Sequence, residues 1–459
     1  MPLYTPELRT DRGLKLRLYG MMFLQYFVQG CYLPVISVYL QDGLKFSPTE
    51  IGAFGAALAI GPLAAPFIIG QLVDRHAATE GVLAFCHLTG AAIMLVLYAV
   101  ATHLSQDFDV FWLIVALGTL YSTLYVPSMM LTNSLAFHHL EDADREFPVV
   151  RMFGTLGFIA PFFLVEFVFL RGLEGSELNS ARAIVLALSA AGGLLMGAYC
   201  FLLPHTPPAA RDRRDLAPGK VLGQLARRTF LSLVIASVFI AIVHKFYFVW
   251  NSPFLRAVLD QGGVKGAWEQ TISSLGQFFE IIVMLVLGLL VRRFGFKRTM
   301  LLGAFAYLLR CLIFSYAIAS GLSFPATMTL VCIGQALHGV CFGCFLATAY
   351  MFVDHVSGPS ERGSMQTFYG TFVLGLGFFV GGIIAGQIGD AFTTERGRGV
   401  RRKMGIQSRA GLLEAKREEG KAPQERDWPA LWLSSAGIAA VALLVFAASF
   451  PSTPPEDEE

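Results

Sequence analysis

Apolar residues run along this chain in blocks, separated by short polar stretches. An α-helix rises 1.5 Å per residue, so about 20 apolar residues cross a hydrocarbon core. The blocks predict helices at 18–40, 49–72, 82–102, 110–135, 149–170, 182–203, 229–255, 271–291, 298–319, 325–353, 364–389 and 429–450, twelve in all. The longest polar stretch before the last helix pair, 204–228, follows the sixth helix and carries Pro204, Pro207, Pro208 and the charged run RDRRD. It reads as a linker between two halves. The expected class is an all-α membrane protein with twelve transmembrane helices in two six-helix bundles. Residues 1–203 form one bundle and 204–228 a cytoplasmic linker. Residues 229–459 form the second bundle, with an extra loop at 390–428.

The polar residues that interrupt these blocks carry the chemistry. Glu280 lies inside the run TISSLGQFFEIIVMLVLGLLV, 271–291. A carboxylate at membrane depth costs several kcal/mol, which makes it a site candidate by default. Gln277 precedes it by three residues and shares its helical face. Together they present an amide and a carboxylate, a pair that suits hydroxyls able both to donate and to accept. Glu280 is also a candidate proton carrier. The plainer alternative is a structural ion pair with Lys245 or Arg310. Lys245, in HKFYFVWNSPF, needs a counter-charge, and Glu280 is the expected partner.

Other polar stripes recur at helical spacing. Arg151, Thr155 and Phe158 stand at i, i+4 and i+7 in PVVRMFGTLGF. They offer a donor, a hydroxyl and an aromatic face; a lipid-facing arginine is the competing reading. Gly154 and Gly157 favour close packing on that helix. His338 and Phe342 are four apart in QALHGVCFGCF, and a histidine there serves a ligand or a proton. Lys245 and Phe248 are i, i+3. Gln25, Gln29 and Tyr32 form a weaker stripe in the first helix, expected to face a cavity. The glycines of GLGFFVGGIIAGQIGD read as tight packing or bending.

Composition narrows the class. Hydrophobic residues make up 55% of the 459 and charged residues 15%, against about 25% charged in soluble domains. The formal net charge of +2 gives nucleic acid no purchase. All seven cysteines fall in apolar runs, and Cys341 and Cys344 form a CxxC without a second half for zinc. No metal, cofactor or catalytic residue is expected, and no nucleophile–base pair suggests an enzyme.

Lysine and arginine set the orientation. Arg9, Arg12, Lys15 and Arg17 precede the first helix; Arg211, Arg213 and Arg214 lie in the linker; Arg292, Arg293, Lys297 and Arg298 follow the eighth helix. The opposite loops hold Lys45, Arg171, Arg182, Arg256 and Lys265. Both termini are therefore expected in the cytoplasm, with the chain multi-pass in an inner or plasma membrane. The basic loop 390–428 dissents from this topology, and SRAGLLEAKREEG within it reads as a short surface helix.

After the second helix comes GQLVDR, Gly70 to Arg75, and after the eighth GLLVRRFGFKR, Gly288 to Arg298. Each resembles the short-loop signature of the major facilitator superfamily, with Arg292 in place of the usual aspartate. Such proteins have two bundles around a midplane cavity. Within that superfamily the chain resembles the nucleoside:proton symporter family. The resemblance is carried by FLQYFVQG, FPVVRMFGTLGFI, FLLPHTP, GQFFE with VRRFGFKRTMLLGAFAYLLRCLIFSYA, LHGVCFGCF, and GSMQTFYGTFVLGLGFFVGGIIAG.

The resemblance implies a nucleoside site made by Arg151, Thr155 and Phe158, by Gln277 and Glu280, and by His338 and Phe342. It also implies proton symport. Relatives commonly carry an aspartate where this chain has Gly343, which removes one candidate proton carrier. The expected partners are a nucleoside, protons and the lipid bilayer, with the protein a monomer. The alternatives are a proton-coupled sugar or drug transporter of the same fold, and an uncoupled nucleoside facilitator.

Overall fold

The computed structural model describes residues 11–63, 78–106, 109–207, 228–357, 362–393 and 426–451. The motif Gly70 to Arg75, most of the linker 204–228, most of the loop 390–428 and its SRAGLLEAKREEG segment lie outside these residues.

Apolar runs without competing turn chemistry become helices, and their caps sit where the sequence turns polar. α1 (Arg12–Tyr32) starts at Asp11, whose carboxylate accepts from the Gly13 and Leu14 amides. α2 (Pro48–Ala57) starts at a capping box: Ser47 accepts from the Glu50 amide, and Glu50 returns the bond to Ser47. α3 (Thr79–Thr102), α4 (Phe111–His139), α5 (Ala143–Leu164) and α6 (Ile184–Tyr199) follow. α7 spans Arg228–Gln261, six residues beyond its expected end. The stretch Glu269–Ala319 is helical on both sides of Gly295, whose φ of 75° breaks it into α8 (269–294) and α9 (296–319). That positive φ suits glycine, and it makes the turn of the second short-loop motif.

α10 (Phe324–Cys341) passes through a π-helical stretch, Phe342–Ala347, into Thr348–His355. Arg362–Gly370 runs through a second π-helical stretch, Thr371–Gly377, into α11 (Phe378–Ala391), and α12 (Trp428–Ser449) follows. Among the described residues ten helices are long and apolar enough to cross a membrane, with Glu269–Ala319 counted as one.

Glycine contacts set the helix pairing. A Cβ on Gly157 would lie 2.1 Å from the Phe23 carbonyl oxygen, and one on Gly30 2.2 Å from that of Phe158. α1 and α5 therefore meet backbone to backbone, which fixes the rotation of the Arg151–Thr155–Phe158 stripe. Gly52 of α2 meets Gly382 and Gly386 of α11 in the same way. The glycines of α11 thus serve packing, as their density suggested.

α2 with α11 and α5 with α8 join the first part of the chain to the second. Polar contacts between these parts cluster at one end. Arg182 Nη2 donates to Glu269 Oε1 at 2.5 Å, and Arg256 Nη1 donates to the same oxygen at 3.5 Å. The Glu166 carboxylate accepts from the Gln270 amide at 2.5 Å, the Thr271 amide at 2.9 Å and the Thr271 hydroxyl at 2.5 Å. It thereby satisfies the free N–H groups at the start of α8 from across the seam. Thr49 donates to Asp390, and Arg426 to Gln41.

Candidate functional site

Beneath this clasp lies a cleft with about 330 Å³ of empty space, including space open to solvent. Phe158 and Phe162 of α5 form one wall. Tyr247, Phe248, Asn251 and Ser252 of α7, with Ser273 and Gln277 of α8, form the other, and Pro34 closes it. Apolar walls with a few convergent polar groups are the usual make-up of a small-molecule site. Phe158, Gln277 and Phe248 are the expected residues found in this lining.

The remaining expected residues extend the same faces. On α5, Thr155 lies one turn and Arg151 two turns from Phe158. The Arg151 guanidinium sits 4.2 Å over the Tyr26 ring. It is also the cation whose field reaches the Glu280 carboxylate across the α5–α8 contact. On α8, Glu280 lies one turn past Gln277, and its side chain is 14% exposed, so the carboxylate is not sealed in the core. His338 comes to Glu280 because α8 and α10 touch. A Cβ on Gly339 would lie 2.4 Å from the Glu280 amide nitrogen, so no larger residue permits that approach. His338 Nε2 lies 4.0 Å from Glu280 Oε2, longer than a hydrogen bond. Phe342, at the start of the π-helical stretch, is half-buried 6.1 Å from the His244 ring.

Two expected pairings are corrected. Lys245 does not meet Glu280. It is buried between α7, α2 and α11, its Nζ 5.8 Å from the Phe378 ring and its Cε against the bare face of Gly55. Successive residues on a helix point about 100° apart. On α7 it is therefore the neighbour, His244, that faces the site, where Tyr307 shares a 2.8 Å hydrogen bond with its Nδ1. Arg310 likewise pairs with His338, at 2.9 Å, and not with the carboxylate.

In the first helix, Gln25 is fully buried. Its amide donates to Ser128 at 2.9 Å and its oxygen meets His87 Nε2 at 2.8 Å. Tyr32 is buried against the Tyr121 ring. Both belong to the packing between α1, α3 and α4, not to the cleft, while Gln29 is half-buried. Buried amides find partners within reach, and neighbouring helices supply them here.

Sequence reasoning passed over a network that braces the site. Tyr247 donates to Gln335 at 2.6 Å, Gln335 to Asn251 at 2.7 Å, and Asn251 to Ser273 at 2.8 Å. It ties α7, α10 and α8 together and fixes the wall that carries Asn251 and Ser273. The signal was present: Tyr247 and Asn251 are i, i+4, and Gln335 precedes His338 by one turn. Among the described residues no cluster of three or more His, Cys, Asp or Glu could hold a metal ion.

Residues 12–454 match the family described as Nucleoside H+ symporter. The chain belongs to the nucleoside:proton symporter family. It is a multi-pass membrane transporter and not an enzyme. It is 32% identical over 351 residues to the putative nucleoside transporter YegT of Escherichia coli, covering 75% of this chain and 77% of that protein. It is 25% identical to the nucleoside permease NupG of the same organism over 451 residues, covering 95% and 96%. The crystal structure of the nucleoside transporter NupG superposes with a TM-score of 0.75 at 23% identity, covering 95% of this chain and 99% of that one, which gives the fold.

The acid that the resemblance leads one to expect at position 343 has a local consequence. A Cβ on Gly343 would lie 2.6 Å from Val283 Cγ1, so the acid expected there has no room. Gly343→Asp is expected to destabilise the protein by roughly 1–3 kcal/mol of overpacking, before any cost of burying the carboxylate. Lower folded yield and an earlier thermal transition in detergent are the signs. An unchanged transition would mean that α8 and α10 can separate at this point.

Proposed function

We propose that this protein carries nucleosides across a bacterial inner membrane by alternating access, coupled to protons. The observation that carries this reading is the apposition of the α5 and α8 stripes. Phe158 lines one side of the cleft, with Thr155 and Arg151 one and two turns along its stripe; Gln277 lines the other, with Glu280 one turn beyond and His338 beside the carboxylate. Phe158 offers an aromatic face for the base, and Phe342 extends the apolar lining below it. Arg151 holds the base through charge-assisted hydrogen bonds. Gln277 and Glu280 take ribose hydroxyls, which need both donors and acceptors. Glu280 carries the proton, and His338 assists it. Phe248, on α7, shapes the same wall, while Lys245 faces away from it.

The architecture in this reading is twelve spans in two bundles of six. The break at Gly295 supplies the ninth helix. The seam lies between α2 and α11 and between α5 and α8. Both termini are cytoplasmic, and the protein is a monomer. The clasp of Arg182, Glu269 and Glu166 is then on the outer side, and this conformation is closed to the outside.

Uptake of labelled uridine and adenosine into proteoliposomes tests the reading. Accumulation above the outside concentration under an inward proton gradient is expected. Uptake that only equilibrates would indicate a facilitator. Inhibition by lactose or ribose, with none by nucleosides, would favour a sugar transporter. In the same assay Arg151→Ala is expected to weaken binding of every nucleoside about tenfold or more, since a hydrogen bond from a charged group contributes roughly 1.5–3 kcal/mol. Unchanged affinity would remove Arg151 from the site.

A further inference from the structure

Arg310 is fully buried in α9, and no carboxylate pairs with it among the described residues. Among the described residues its Nε and Nη2 have no nitrogen or oxygen hydrogen-bond partner. Its plane instead lies 4.1 Å over the Tyr247 ring and 5.1 Å from that of Tyr307, so aromatic faces offset the charge. Its Nη1 donates to His338 Nδ1, at 2.9 Å. A guanidinium has donors only and keeps its proton. His338 Nδ1 must therefore be the acceptor, which leaves the imidazole proton on Nε2. That is the nitrogen 4.0 Å from Glu280 Oε2. A second ring proton would need Nδ1, the position Arg310 occupies.

We infer that Arg310 is a positioning residue that holds His338 neutral, with its single proton on Nε2 toward Glu280, so that the carboxylate alone takes up the transported proton. This rests on the proton-symport reading above. It assigns a use to a buried arginine that has no carboxylate partner, and it answers the question that Gly343 raises. With no second acid, and with the histidine barred from a second proton, the site holds one exchangeable proton.

The surroundings agree. From α7, His244 stacks on His338 at 5.5 Å with its own Nδ1 engaged by Tyr307, and Tyr247 also stacks on it at 4.9 Å. Lys245 is next along α7 and faces away. Behind Arg310 on α9 lies Cys311, and Cys341 shares α10 with His338. Each is a neutral group or a further cation, so none stabilises an imidazolium. Glu280 alone would do so, and it lies beyond hydrogen-bond length while Arg151 acts on it from α5.

The test is ¹⁵N NMR of ring-labelled histidine in the full-length, ligand-free protein in nanodiscs, with His338→Gln identifying the signal among the nine histidines. The expected spectrum shows His338 neutral and protonated on Nε2 between about pH 5 and 8, the window in which a free histidine changes charge. Arg310→Met is expected to bring a His338 titration into that window, and Arg310→Lys, which still offers a donor and a charge, to suppress it again. A wild-type signal protonated on Nδ1, or one that titrates in that window, would overturn the inference even if no Arg310 variant folds. So would an Arg310→Met spectrum unchanged from wild type. The readout needs no transport, so a failed uptake experiment and a failed tautomer assignment are distinguishable.

Discussion

Glu280→Gln is expected to abolish proton-driven accumulation while a pH gradient is imposed, leaving an inside-to-outside nucleoside ratio near one. The amide keeps the size of the carboxylate and still faces His338, but it cannot take up a proton. A gradient of one pH unit is worth about 1.4 kcal/mol per proton, which supports roughly tenfold accumulation for one-to-one coupling. The whole of that factor is at stake, because Glu280 is the acid on the cleft-facing stripe of α8, and Gly343 contributes none. Accumulation ratios for wild type and variant in proteoliposomes, at equal protein incorporation, decide the point. Tenfold accumulation by the variant would move the proton to another group.

The second large effect is expected at the clasp. Glu269 is buried between the Arg182 and Arg256 guanidiniums. Glu269→Gln leaves two cations facing each other with no carboxylate between them. Breaking a buried ion pair costs about 3–5 kcal/mol when the remaining charge keeps no counter-ion; here Asp260 still holds Arg256 and Asp42 lies 3.9 Å from Arg182, so a smaller cost, roughly 1.5–3 kcal/mol, is expected. That cost falls on the clasped conformation alone, since opening this end lets water reach the arginines. The population is therefore expected to shift toward the outward-open form by a factor of roughly ten or more.

A cysteine at Ser273, which is only 7% exposed beneath the clasp, reports the shift in a variant lacking the seven native cysteines. Labelling by a membrane-impermeant thiol reagent added outside is expected to accelerate at least tenfold. An unchanged rate would mean that the glycine contacts between α2 and α11 hold the closed end by themselves.

How much of this was legible depended on whether the signal was local. The ten spans among the described residues were legible because roughly 20 apolar residues carry their own reason to be helical in a membrane, where every backbone group must be satisfied within the segment. At the break, Gly295, the tertiary path ran differently from two separate segments, staying helical up to the glycine on each side. Glu280 was legible for the same local reason: a carboxylate in an apolar run is costly wherever it points. The stripe at Arg151, Thr155 and Phe158 was legible because spacing fixes which residues share a face.

What faces what was not legible. Gln25 had the same spacing argument as Gln277, yet His87 and Ser128 on neighbouring helices take up its amide. Spacing defines a stripe but not the direction it points, since that depends on the rotation of the whole helix. In α5 the rotation is set by Gly157 against Phe23, and in α10 by Gly339 against Glu280.

The sequence by itself determined that this is a membrane transporter of the nucleoside:proton symporter family, with a carboxylate at membrane depth and aromatic and amide groups near it. The tertiary structure decided the partners. Adjacent residues on α7 diverge by about 100°, so His244 entered the site and Lys245 left it. Arg310, placed by the contact of α9 with α10, came to rest against His338. Hydropathy is a property of each segment alone, but a charge pair belongs to two segments, and only their packing brings it together.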